Sequence, residues 1–166
     1  MRVERSGKRG QHAGTHDRAG CRKDVYLLPT MIEPEFYEVD HTADWAIRVW
    51  ARDLPKLFAS AARGMFSLLT DLSQVAADRA FEIDLQAIDT ETLLIDWLNE
   101  LLYLAEEHGL VFTDFAVSEL TDSHLRASAR GGRPAELFKV IKAATFNNLS
   151  IKHSTEGFEA EIVFDV

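Results

Sequence analysis

The sequence predicts an α+β domain, a largely antiparallel sheet with two main helices packed on one face. Short runs of alternating apolar and polar residues recur from Phe36 to Val166, as half-buried strands require. Two longer segments, near 54–70 and 90–108, instead repeat apolar residues at helical spacing. Strands gathered in runs, with only two helices among them, exclude the regular βαβ alternation of a parallel sheet. At about 150 residues per domain, 166 residues make one domain.

The elements follow in order. Phe36–Val39 reads as a first short strand, and Trp45–Ala51 as a second, with odd positions apolar and Arg48 on the other face. Asp53 is a helix cap with Pro55 in the first turn. Leu54, Leu57, Phe58, Ala61, Met65, Leu68 and Leu69 then form an apolar stripe that ends near Thr70 and Asp71. Ala80–Leu85 alternates cleanly as a strand. Asp89 and Thr90 open the second helix, whose stripe runs from Leu93 to Ala105, and His108-Gly109 closes it. Val111–Leu120 and Leu125–Ala129 read as strands around Thr121-Asp122-Ser123, and 131–134 as a loop. Phe138–Lys142, Thr145–Ile151 and Phe158–Phe164 complete the chain, the last entered through a turn near 155–157.

Charge divides the chain unequally. Residues 1–30 hold seven Lys/Arg against three acids, whereas 31–166 hold 11 against 24, within an overall balance of −9. An acidic body repels phosphate backbones, which argues against direct nucleic-acid binding. No run approaches the roughly 20 apolar residues of a membrane helix. Residues 1–33 are polar, basic and glycine-containing, which predicts a disordered leader without the apolar core of a secretory signal. It reads as a tail or as an over-extended start with initiation at Met31, ahead of a domain at 34–166. A single cysteine, Cys21, allows no internal disulfide and suits a reducing, cytoplasmic setting.

The sequence holds no phosphate-binding glycine loop, nucleophile elbow or H-E-x-x-H helix. Three acidic features remain. Asp44 closes His41-Thr42-Ala43-Asp44 at the entry to a strand, where the same residues also suit a plain turn. Asp165 and Val166 bring a side-chain carboxylate and the α-carboxylate together, either solvated or bridged by a cation. Asp96 and Glu100 stand at i, i+4 on the polar side of the second helix, a site or a solvated face. Converging oxygens of this kind select Ca²⁺, Mg²⁺ or Mn²⁺. Lys139 and Lys142, near Thr145–Asn148, could fix a phosphate or a partner's carboxylate, or form a surface pair.

Four ordered motifs resemble the archease family: His41-Thr42-Ala43-Asp44 before a strand, Leu94–Tyr103 on a helix, Ile141–Phe146, and the ending Val163–Val166. The resemblance spans about 35–166 and implies a small acidic α+β protein that is not itself an enzyme. It implies an accessory factor of an RtcB-type RNA ligase, promoting ligase guanylylation and multiple turnover in tRNA splicing or RNA repair. It also implies a divalent-cation site at Asp44, Asp165 and Val166, with Ca²⁺ foremost and Mg²⁺ or Mn²⁺ as alternatives. His41, Thr42, Asp96, Glu100, Lys142 and Thr145 are the implied supporting or partner-binding residues. Where the family commonly carries histidine after Thr-Tyr, this chain has Asn147, which hydrogen-bonds but does not titrate. Two other classes compete: a metal-dependent phosphohydrolase or nuclease, and a general chaperone-like binding module. The first lacks an evident general base or nucleophile beside the carboxylates.

Overall fold

The computed structural model describes residues 35–39 and 45–166. Among the described residues eight strands form two antiparallel sheets. In the first, the order is β1 (Phe36–Val39), β2 (Trp45–Ala51), β8 (Gly157–Asp165) and β6 (Ala143–Thr145), and β7 (Lys152–Ser154) also pairs with β8. In the second, β5 (His124–Gly132) lies between β3 (Arg79–Gln86) and β4 (Val111–Leu120). The α+β class holds, with the strands divided between two sheets rather than joined in one.

Local chemistry accounts for the two helices. Helix α1 (Leu54–Ser67) starts at Asp53, whose carboxylate accepts from the Lys56 backbone N–H at 2.9 Å. It ends three residues earlier than its apolar stripe suggests, because Leu68 and Leu69 already turn away into a short 3₁₀ turn at Leu72–Gln74. Helix α2 (Thr90–His108) is capped by Asp89 through the Thr92 N–H at 2.8 Å. It stops at Gly109, whose φ of 63° is the left-handed conformation that glycine adopts without penalty.

Each helix packs against strands of both sheets. Leu57, Phe58, Ala61, Met65 and Phe66 of α1 and Leu93, Leu94, Trp97, Leu98 and Leu101 of α2 are fully buried. Each of the larger ones contributes roughly 1.5–3 kcal/mol of apolar burial. Phe66 meets Phe112 edge-on and stacks on Phe115, which also meets Trp97 edge-on. The buried Trp97 indole N–H donates to the Phe58 carbonyl at 3.1 Å, joining the two helices. No described helix is long and apolar enough to cross a membrane.

Two segments depart from expectation. Gly131-Gly132 belongs to β5 rather than to a loop. A Cβ on Gly131 would collide with the Val111 carbonyl and one on Gly132 with the Ala76 carbonyl, so these glycines serve close backbone approach rather than a turn. Residues 138–142 form no strand, and the expected strand beginning at Thr145 is only the three-residue β6, ending there.

Candidate metal centre at the end of the central strand

Strand β8 is flanked by β2 on one side and by β6 on the other. Trp45 opens β2 opposite Phe164, and Ala144 faces Phe164 from β6. One residue further, Ala143 pairs with Asp165. The strand registers therefore bring the beginnings of β2 and β6 to the end of β8 that carries Asp165.

The backbone there is tightly held. The Lys142 N–H donates to the Asp165 carbonyl at 2.9 Å, and the Lys142 ammonium donates to the Val166 oxygen at 2.9 Å. The Thr145 hydroxyl donates to the Val163 carbonyl at 3.0 Å. From α2, the Asn99 side-chain oxygen accepts from the Ala144 N–H at 2.8 Å, and its NH₂ donates to the Ala144 carbonyl at 3.2 Å. Asn99 thus acts as an added length of strand, occupying both polar groups of β6 that would otherwise face an open sheet edge. The Lys139 ammonium lies 3.0 Å from the centre of the Trp45 ring.

Against this pinned backbone the Asp165 carboxylate is exposed and makes no hydrogen bond or ion pair among the described residues. Its oxygens, with that of Val166, are hard donors suited to Ca²⁺, Mg²⁺ or Mn²⁺. The Val166 oxygen already accepts a cation in the form of the Lys142 ammonium. In donor chemistry these residues fit a divalent ion. No three His, Cys, Asp or Glu side chains converge as a metal cluster among the described residues. The set implied by the sequence needs Asp44, which lies outside those residues together with His41 and Thr42. Asp44 directly precedes Trp45 in the chain.

The other expected residues separate by role. Lys142 and Thr145 lie at the end of β8, where their contacts are structural. Asp96 and Glu100 are half-buried on α2 on either side of Asn99, and neither bonds to Asp165, Val166, Lys142 or Thr145. Glu100 is felt instead by Tyr103, whose hydroxyl is held above its ordinary pKa by a hydrogen bond to Glu107, by that residue's charge, by burial and by the charge of Glu100. Asn99, between Asp96 and Glu100 on α2, is the residue that ties the helix to β6. Its signal is a poor helix former in mid-helix on a face that its neighbours leave polar.

A second charged cluster stands on the three-stranded sheet. The Asp84 carboxylate lies 2.8 Å from His124 Nε2 and 2.8 Å from Arg126 Nε. Glu119 approaches His124 Nδ1 at 3.6 Å and Arg126 at 3.7 Å. The pairing of β3 and β4 with β5 sets this ring, since Asp84 and Glu119 both face Arg126 in register. Arg126 first and His124 second hold Asp84 below the ordinary carboxylate pKa, and Asp84 in turn holds Arg126 up.

Residues 36–166 match the model of the archease protein family. A protein archease of Methanosarcina barkeri is 33% identical over 140 residues, covering 80% of this chain and 96% of that protein. One from Methanopyrus kandleri is 36% identical over 137 residues, covering 78% and 97%. Among solved structures, protein 1598 of Methanobacterium thermoautotrophicum superposes with a TM-score of 0.67 at 29% identity, covering 80% of this chain and 99% of that one. With the family model spanning the two sheets, both helices and the end of β8, the chain belongs to the archease family.

Proposed function

We propose that this protein is a divalent-cation-binding accessory factor that activates an RtcB-type RNA ligase in the cytoplasm. In this reading it promotes guanylylation of the ligase and its multiple turnover in tRNA splicing or RNA repair. The observation that carries the reading is the exposed Asp165 carboxylate, unpaired among the described residues, on a backbone fixed by Lys142. Family membership supports the choice of partner. Asp165, the Val166 oxygen and Asp44 would hold the ion, with Ca²⁺ the first candidate. When bound, the ion supplies concentrated positive charge beside the partner's nucleotide.

This chain's own part is placement. β2 and β6 hold β8 on both sides, Lys142 fixes the backbone that follows the Asp165 side chain, and Asn99 fixes β6 from the helix. Such fixed geometry lets a small protein present charge to a partner without reorganising at each encounter. His41, Thr42, Asp96 and Glu100 stand in this reading as supporting or partner-facing residues.

The test combines ligase assays with calorimetric titration of Ca²⁺. Asp165→Ala and Asp44→Ala should each weaken Ca²⁺ binding at least tenfold and abolish stimulation of ligase turnover, while the circular dichroism spectrum stays unchanged. Full stimulation by both variants would overturn the reading. Phosphate release from nucleotides by the protein alone would favour the hydrolase class instead.

A further inference from the structure

Residues 133–142 form neither helix nor strand after Gly132 and before β6, yet the segment is tied down along its length. The Thr70 hydroxyl donates to the Glu136 carbonyl at 2.7 Å, and the Phe138 N–H donates to the Leu69 carbonyl at 2.8 Å. Lys139 caps the Trp45 ring, the Lys142 N–H reaches Asp165, and Ile141 is buried as an apolar anchor. Between these ties the large apolar side chains face outward. Leu137 is 52% exposed, Phe138 58% and Val140 67%, with Phe146 at 55% just beyond β6. These four, within ten residues of one another in the sequence, are half of the eight large apolar residues left exposed among the described residues, so the exposure gathers along one stretch of chain.

Solvent gives no reason to fix an arch of this kind with its apolar side chains outward. A prepaid conformation lowers the ordering cost of association, which is what a docking surface needs. The charge around it indicates the partner. Within 133–142 Arg133, Lys139 and Lys142 outnumber Glu136, and with the Lys142 ammonium committed to the Val166 oxygen, Arg133 and Lys139 keep this segment basic in an otherwise strongly acidic body. A polyanion such as RNA or an anionic lipid surface would be repelled by that body before reaching the arch. A protein surface with an apolar cleft and a carboxylate rim would meet both features.

We infer that Leu137, Phe138, Val140 and Phe146 form the docking surface for such a protein. Resting on the function proposed above, we assign that partner as the ligase. Docking and activation are then carried by different residues: the arch supplies affinity, and Asp165 supplies the effect on turnover.

The full-length protein is titrated against the ligase in EDTA by calorimetry, and stimulation is measured separately with Ca²⁺ present. Leu137→Glu/Val140→Glu should bind at least tenfold more weakly with an unchanged thermal melt, because both side chains already face solvent. Asp165→Ala should bind within twofold of the parent and fail to stimulate. Parent-like binding by the double variant overturns the docking surface while leaving the proposed function intact. Failure of the parent protein to bind or stimulate the ligase overturns that function and, with it, the assigned partner. Concentration-dependent self-association that the double variant abolishes, with ligase affinity unchanged, assigns the arch to a second copy of this chain and overturns the inference.

Discussion

The ring of charges on the three-stranded sheet and the end of β8 are built from similar materials and wired in opposite ways. Around Asp84 each carboxylate has a side-chain partner: Arg126 and His124 lie 2.8 Å from Asp84, with Glu119 closing the circuit. At the end of β8 the bonds go to the backbone. Lys142, Thr145 and Asn99 fix main-chain atoms, and the Asp165 carboxylate is left without a partner among the described residues. A closed ring spends its bonding capacity on the fold. A fixed backbone with an unspent carboxylate keeps that capacity for something outside the fold. Titratable residues gathered together are thus a weaker pointer to function than one acid whose surroundings are ordered and whose oxygens are unused.

Measured as loss of stability, three substitutions test this contrast in descending order. Asn99→Leu leaves the Ala144 N–H and carbonyl without partners and should cost about 2–3 kcal/mol in urea unfolding. A loss under about 0.5 kcal/mol, the range of ordinary surface changes, would mean that β6 is held by its ladder alone. Asp84→Asn should lower the melting temperature slightly at neutral pH, and less in high salt, since the ring is exposed.

The same ring has a pH signature. Asp84 is held below its ordinary pKa in the folded state, so its contribution is complete above the unfolded value of about 3.9. It is lost as pH falls through the lower folded value. The parent should therefore lose stability more steeply than Asp84→Asn below about pH 4, and parallel acid-unfolding curves would contradict the assignment. Asp165→Asn, smallest of the three, should change stability by less than about 0.5 kcal/mol while lowering Ca²⁺ affinity at least tenfold. A destabilised Asp165→Asn would place that carboxylate in the fold, as Asp84 is, and remove the contrast.

What the sequence disclosed divides by distance along the chain. The Asp89 and Gly109 caps of α2, the limits of β1 and β2, and the hairpin around 121–123 follow from residues within a few positions of one another, and they were legible. The split into two sheets was not, because alternation reveals a strand's faces and not its neighbours. Gly131 and Gly132 read as part of a loop, since their real constraint comes from Val111 and Ala76, far off in sequence. Asp165 was visible as a carboxylate at a strand end. The bond from Asn99 to Ala144 spans 45 positions, and a poor helix former in mid-helix marks the residue without naming its partner. The expected leader, His41, Thr42 and Asp44 lie outside the described residues.

The pairing of β8 also bears on how the molecule assembles. The second sheet joins β3, β4 and β5 from one contiguous stretch, and its β4–β5 hairpin closes over a three-residue turn. The first sheet has to bring β8 back to β2 across more than a hundred residues, a closure that costs more entropy and forms more slowly. The hairpin can exist before β8 docks, and the end of β8 that carries Asp165 cannot be set between β2 and β6 until it does. In the function proposed above, competence to act on a partner then waits for this late closure, and a half-assembled chain has no finished tip to offer.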